Sequence, residues 1–217
     1  MKKSIYIAFI AAAFFASCGG NTAETGDAQD VKENNSAEAV EYSSLEAGSH
    51  ITWRATHFGG LAPRFGKVNA VKATVKTLDN KVTNATITMD MASLTVESFD
   101  EGDPQNDTLA AHLKEGYLFN VSSYPTSAFE LTAIEEATGD YNSKVTGNLT
   151  IMDSTKSITF NTNITVSEES VVVKSEKFSI DRTLWGLNYN LEGTEGLPTK
   201  YVIANPIEFS INATINK

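Results

Sequence analysis

The chain has 217 residues, a formal charge of −10 and a single cysteine. That acidity, with no basic run, argues against nucleic acid and anionic lipid head groups as partners. A lone cysteine cannot close an intramolecular disulfide, so an exported domain of this chain must hold itself together by its core.

The first element is a leader. Residues 1–17, MKKSIYIAFIAAAFFAS, place Lys2 and Lys3 before an apolar run and end in small residues. This is the pattern of a secretory signal, and the run is too short for an ordinary membrane span. Cys18 follows at once. Phe15-Ala16-Ser17-Cys18 resembles a bacterial lipobox, although phenylalanine stands where leucine is commoner. The resemblance implies acylation of Cys18 and a place in the cell envelope, anchored by lipid to the outer membrane and facing the periplasm. The alternative is a soluble secreted protein with a stray cysteine in its leader. Loss of Lys2 and Lys3 with the leader takes the charge from −10 to −12.

Residues 18–41 are poor in large apolar groups and rich in Gly, Asn, Glu and Ala. Such a segment is expected to stay disordered, an acidic tether behind the lipidated cysteine. One folded domain then spans residues 42–217.

From there the chain reads as strands. Segments near 49–58 and 67–78 come first, and Asp79-Asn80 separates the second from the next like a tight hairpin. Ala85, Ile87, Met89 and Met91 alternate with Thr86, Thr88 and Asp90. A short helix follows, with Leu109 and Leu113 on one side, Asn106 or Asp107 as its cap and Gly116 at its end. Pro125 marks entry to a strand near 126–135, and another lies near 141–152. Ile158, Phe160, Thr162, Ile164 and Val166 alternate with polar residues, Glu168-Glu169 turns the chain, and a strand near 170–180 follows. Ile207, Phe209, Ile211, Ala213 and Ile215 form the last apolar stripe. Period two with one apolar face predicts about eight half-buried antiparallel strands, an all-β fold with one short helix. A sandwich and a closed barrel both suit this pattern.

Catalytic chemistry has little to stand on. His50 and His57 are seven apart, which on a regular strand points them to opposite faces, and no HExxH spacing includes His112. No G-x-S-x-G elbow occurs, and Cys18 serves the anchor. Acidic residues gather in the tether and in turns such as Asp100-Glu101-Gly102-Asp103, where solvated surface is the simpler reading. No glycine-rich loop opens a helix. Neither enzyme activity nor a metal nor a cofactor is expected.

HLKEGYLFNVSSYPTSAF, residues 112–129, resembles the signature segment of the YceI-like family of polyisoprenoid-binding proteins through His112-Leu113, Phe119, Tyr124-Pro125 and Phe129. HFGGLAPRFGKV is similar to the family's first hairpin through His57, Gly59 and Gly66. Gly147, Leu149, Thr150, Thr155 and Lys156 match its Gly-x-Leu-Thr, turn, Thr-Lys segment, and KFSIDRTLWGLNY resembles a late segment of many members. Trp185 departs there from the usual aromatics. The resemblance implies a lipocalin-like antiparallel β-barrel with the short helix covering an end. It also implies an elongated apolar interior that takes an isoprenoid-type lipid, such as a polyisoprenoid or a quinone tail, and no established catalytic residues.

Candidate ligand-binding residues follow from that barrel. Ile87, Met89, Phe160 and Phe209, with Ile164 and Ile211, are expected in the wall. Tyr117, Phe119 and Tyr124 are expected at the entrance, with lid packing as the alternative. His57, Arg182 and Tyr189 are expected near a polar head group, with an Asp181–Arg182 ion pair as the alternative for Arg182. Trp53, Phe129, Phe178 and Trp185 complete the set. The expected partners are the lipid, the membrane through Cys18 and, as a candidate, a second copy of the chain. Two rivals stand beside lipid storage or transport: an envelope stress or interaction module with the barrel as scaffold, and an enzyme acting on the held lipid.

Overall fold

Alternating apolar side chains need an interior to point into, and the chain makes one by closing its strands into a ring. The computed structural model describes residues 21–31 and 36–217; the expected leader over residues 1–17 and the acylated Cys18 lie outside them. The strands are β1 (Asn21–Thr22), β2 (Glu24–Asp27), β3 (Val40–Tyr42), β4 (Ser44–Leu45), β5 (His50–Ala55), β6 (Arg64–Leu78) and β7 (Lys81–Asp90). Helix α1 (Pro104–Leu113) comes next. Then follow β8 (Thr126–Glu136), β9 (Ser143–Ile151), β10 (Ser154–Val166), β11 (Ser170–Ser175), β12 (Phe178–Asp181) and β13 (Pro206–Asn216).

Antiparallel pairing runs without a break from β5 through β6, β7, β8, β9 and β10 to β11, then to β13 and back to β5. The strand expected near 170–180 is interrupted at Glu176-Lys177, and its two parts, β11 and β12, both pair with β13. β3 and β4 share the place of β5, pairing with β6 and β13 respectively. The result is a closed eight-stranded antiparallel barrel, with one α-helix among the described residues. The β6–β7 hairpin turns as its sequence predicts: Asp79 and Asn80 have φ of 52° and 58°, the left-handed pair that matches the twist of the strands.

α1 starts earlier than expected. Asp103, and not Asn106 or Asp107, is the cap, with the Gln105 N–H donating to its Oδ1 at 2.8 Å and Pro104 in the first turn. The helix ends at Leu113, and Gly116 lies in the turn beyond.

The tether expected over residues 18–41 is not free at residues 21–27, which join the barrel. β10 and β12 splay apart beyond Asn161 and Glu176, and residues 21–27 fill the wedge. β1 pairs in parallel with β12, and β2 pairs antiparallel with β10. Ala23 is buried in the core, and its N–H donates to the Ser179 carbonyl at 2.9 Å. At the apex, the buried Glu176 carboxylate accepts from the Asn161 N–H at 2.7 Å and from Asn21 Nδ2 at 2.5 Å. Composition misleads here because a strand added to an unpaired edge gains backbone hydrogen bonds and needs few large side chains. Beyond β2 the chain crosses the outside of the barrel, where Gln29 and Asn148 exchange hydrogen bonds of 2.9 and 2.7 Å.

Candidate functional site

The inward faces of the strands leave space at the end where α1 sits. A cavity of about 580 Å³ lies between the barrel wall and the helix, a size that suits a small apolar ligand. α1 faces it with Gln105, Thr108, Leu109, His112 and Leu113, the spacing of one helical face. Leu109 and Leu113 pack on a cluster formed by Trp53, Met89, Met91 and Leu94. The inner end of the cavity is walled by Ile87, Phe129, Phe160 and Ile211, which also line the smaller space beyond, while Gln105, Thr108 and His112 bring polar groups to the helix end.

The expected residues fall into three groups. Trp53, Ile87, Met89 and Phe119 line the cavity. Trp53 is fixed there by its indole N–H, which donates to the Thr95 carbonyl at 3.2 Å. Gly66 opposite β5 leaves room for that contact, since a Cβ on Gly66 would stand 1.9 Å from the Thr95 carbonyl oxygen. Phe129, Phe160, Phe178 and Phe209 also line the cavity and run as a row of rings along its wall. Successive centroids are 5.7, 4.4 and 6.1 Å apart, and Phe160 and Phe178 are stacked with 9° between their planes.

The second group, at the mouth, is His57, Arg182 and Tyr189. His57 Nδ1 is 2.6 Å from the Lys200 carbonyl oxygen. Tyr189 closes a cluster of rings with His112 and Tyr117, at centroid distances of 5.1 to 5.9 Å. Tyr117 Oη and His112 Nδ1 share a hydrogen bond of 2.5 Å. Burial first, then Tyr189 and Glu115, push the Tyr117 hydroxyl above its ordinary pKa. Arg182 is no partner of Asp181. Its guanidinium, 3% exposed, donates to the carbonyls of Ala204, Leu187 and Ile203. The Asp181 carboxylate instead accepts from the N–H and hydroxyl of Thr183. Arg182 therefore clamps the loop around residues 187–204, and burial lowers its pKa while Asp181 raises it.

The third group lies outside the cavity lining. Trp185 is fully buried, with its indole N–H donating to the Leu149 carbonyl at 2.9 Å. Tyr124 turns away and donates to Asp153 Oδ2 at 3.3 Å; the Asp153 charge chiefly raises its pKa. Tyr117 is half exposed and reaches the entrance only through its neighbours. Ile164 lines a separate, smaller space. Among the described residues no cluster of His, Cys, Asp or Glu is arranged to hold a metal.

The model of the YceI-like domain matches residues 42–215. The chain belongs to the YceI-like domain family. Solved structures agree on the fold. The chain is similar to BcnA of Burkholderia cenocepacia, with a TM-score of 0.58, 19% identity and coverage of 79% of this chain and 99% of that one. It is also similar to a polyisoprenoid-binding domain from Saccharophagus degradans implicated in plant cell wall breakdown. There the TM-score is 0.57 at 13% identity, covering 82% of this chain and 99% of that one. No curated protein matches.

Sequence reasoning missed part of the cavity of this YceI-like barrel. Leu94 and Phe99 line it from the crossing between β7 and α1, and Leu187 and Tyr201 from the loop before β13. That loop is irregular, so no periodicity marks which side chains turn inward. The helix face was detectable: Gln105, Thr108 and His112 share the side of Leu109 and Leu113.

Proposed function

We propose that this protein binds a long isoprenoid-type lipid, a polyisoprenoid or a quinone tail, in the barrel, and stores or transports it in the cell envelope. The observation that carries the reading is the cavity itself: about 580 Å³, apolar in its depth, with polar groups collected at one end. A tail offers only apolar surface, and each CH2 it buries contributes about 0.8 kcal/mol. Met89 and Met91 give the wall the softness that an irregular chain of methyl branches needs. A polar head group fits at the helix end, where His112, Tyr189 and Asn190 present donors and acceptors. The name of the Saccharophagus domain supports the ligand class.

The envelope location rests on the sequence: a signal-like leader, then Cys18 in a lipobox-like context. Acylation of Cys18 supplies the membrane anchor in this reading. Binding, and not catalysis, is the proposed activity, and no step of it calls on a cofactor.

The decisive experiment is mass spectrometry of an organic extract of the protein purified from its own membrane fraction. An isoprenoid lipid in stoichiometric amount is the expected result. An empty barrel that also takes up no quinone or polyprenol in titration overturns the reading and leaves the scaffold role.

A further inference from the structure

The described residues of the barrel enclose a second space besides the main cavity. Beyond the main cavity, toward the end away from α1, lies a chamber of about 80 Å³. Ile87, Phe129, Phe160 and Ile211 face both spaces, so they are the partition. Two of the four belong to the row of phenylalanine rings, which continues along the wall through Phe178 of β12 and Phe209 of β13. The far chamber exists because Ala73, Ala85 and Ala213 face it where larger side chains would close it.

The chamber suits apolar matter better than water. Among its described lining residues only Thr86 and Thr162 are polar. Thr162 is fully buried, and its Oγ1 finds no partner. A buried water needs two to four polar partners, which this lining does not gather. An apolar space left dry behind a row of rings is room for more of whatever fills the main cavity.

We propose that Phe129 and Phe160 are the stop that sets how long a tail this barrel accepts, and that the far chamber is the reserve behind the stop. This rests on the lipid-binding reading above. A tail that ends at the ring row keeps the stack of Phe160 on Phe178. A longer tail must turn a ring aside before it reaches the chamber, so each further unit gains little until the partition is cut back.

The test is titration of the delipidated protein with geraniol, farnesol, geranylgeraniol and solanesol. For the wild type, affinity is expected to rise with tail length and then level off. Phe160→Leu and Phe129→Leu each join the two spaces, and each is expected to move the levelling point to a longer alcohol. The gain at that alcohol is about tenfold, the effect of roughly two more buried methylenes. Adding Ala85→Phe to Phe160→Leu refills the chamber and is expected to remove that gain. Thermal unfolding shows which variants are folded, and either leucine variant alone suffices. Wild-type binding with the same levelling point in the leucine variants overturns the stop and leaves the lipid-binding reading standing. No binding of any alcohol to the wild type overturns both.

Discussion

The ring of Phe129 occupies the space a side chain at position 147 would need: a Cβ on Gly147 would stand 2.2 Å from Phe129 Cζ and 2.6 Å from the Glu130 carbonyl oxygen. Gly147 sits on β9 opposite Leu131 of β8, so the missing side chain leaves the ring its place over β9. Gly147→Ala is expected to cost about 1–3 kcal/mol, because backbone as well as ring must yield. Denaturant unfolding measures it. Adding Phe129→Leu should recover the part due to the ring. An unchanged midpoint in Gly147→Ala would show that this contact relaxes freely.

Arg182 is the next point of failure. It holds the Ala204 and Ile203 carbonyls at 3.2 and 3.0 Å and also the Leu187 carbonyl. Arg182→Met leaves those acceptors without a donor in a buried place, at about 1–3 kcal/mol for each that water cannot reach. The melting temperature is expected to fall by roughly 2–4 °C per kcal/mol. Lysine has one ammonium where arginine has a planar fork, so Arg182→Lys should rescue little. Full rescue by lysine would mean that charge alone matters here.

The wedge filled by residues 21–27 predicts that truncation is costly. A chain beginning at residue 42 should melt several degrees below one beginning at residue 19, since each kcal/mol lost is worth roughly 2–4 °C. Equal melting temperatures would remove the segment from the barrel wall. Asn21→Asp is a finer probe. It sets a second carboxylate against buried Glu176, and like charges disfavour joint ionisation. The variant is expected to melt below the wild type at neutral pH, and an unchanged melting temperature would show that the two groups do not meet.

Two tyrosines should titrate late. Tyr117 and Tyr124 both have pKa values raised above 10.0, Tyr117 chiefly by burial and Tyr124 chiefly by Asp153. The folded state thus holds the phenol proton more tightly than the unfolded chain does. That contribution is whole below the ordinary tyrosine pKa and is lost as the pH rises through the folded-state values. Ultraviolet titration of the wild type, Tyr117→Phe and Tyr124→Phe should remove one late-titrating phenol with each change. A phenol lost from the ordinary range instead would contradict the geometry around it.

Much of the fold was legible because a barrel wall repeats one rule. The stripe from Ile207 to Ile215 and the turn at Asp79-Asn80 carry their structure locally. The signature segment located α1 and the cavity end it covers. Trp185 and Tyr124 misled for one reason: an aromatic near an entrance looks the same in sequence whether it faces inward or packs behind the wall. Arg182 misled because its partners are carbonyls of a distant loop, which no side-chain pattern announces. The wedge of residues 21–27 was invisible since its strongest bonds are made by the backbone.

That wedge also shortens the leash. Cys18 precedes Asn21 by three residues, a reach of at most about 10 Å, where a free segment up to residue 41 would span several times that. An acylated Cys18 would therefore keep the flank between β10 and β12 close to the bilayer surface. The barrel would pivot about that flank but could not swing clear of the bilayer.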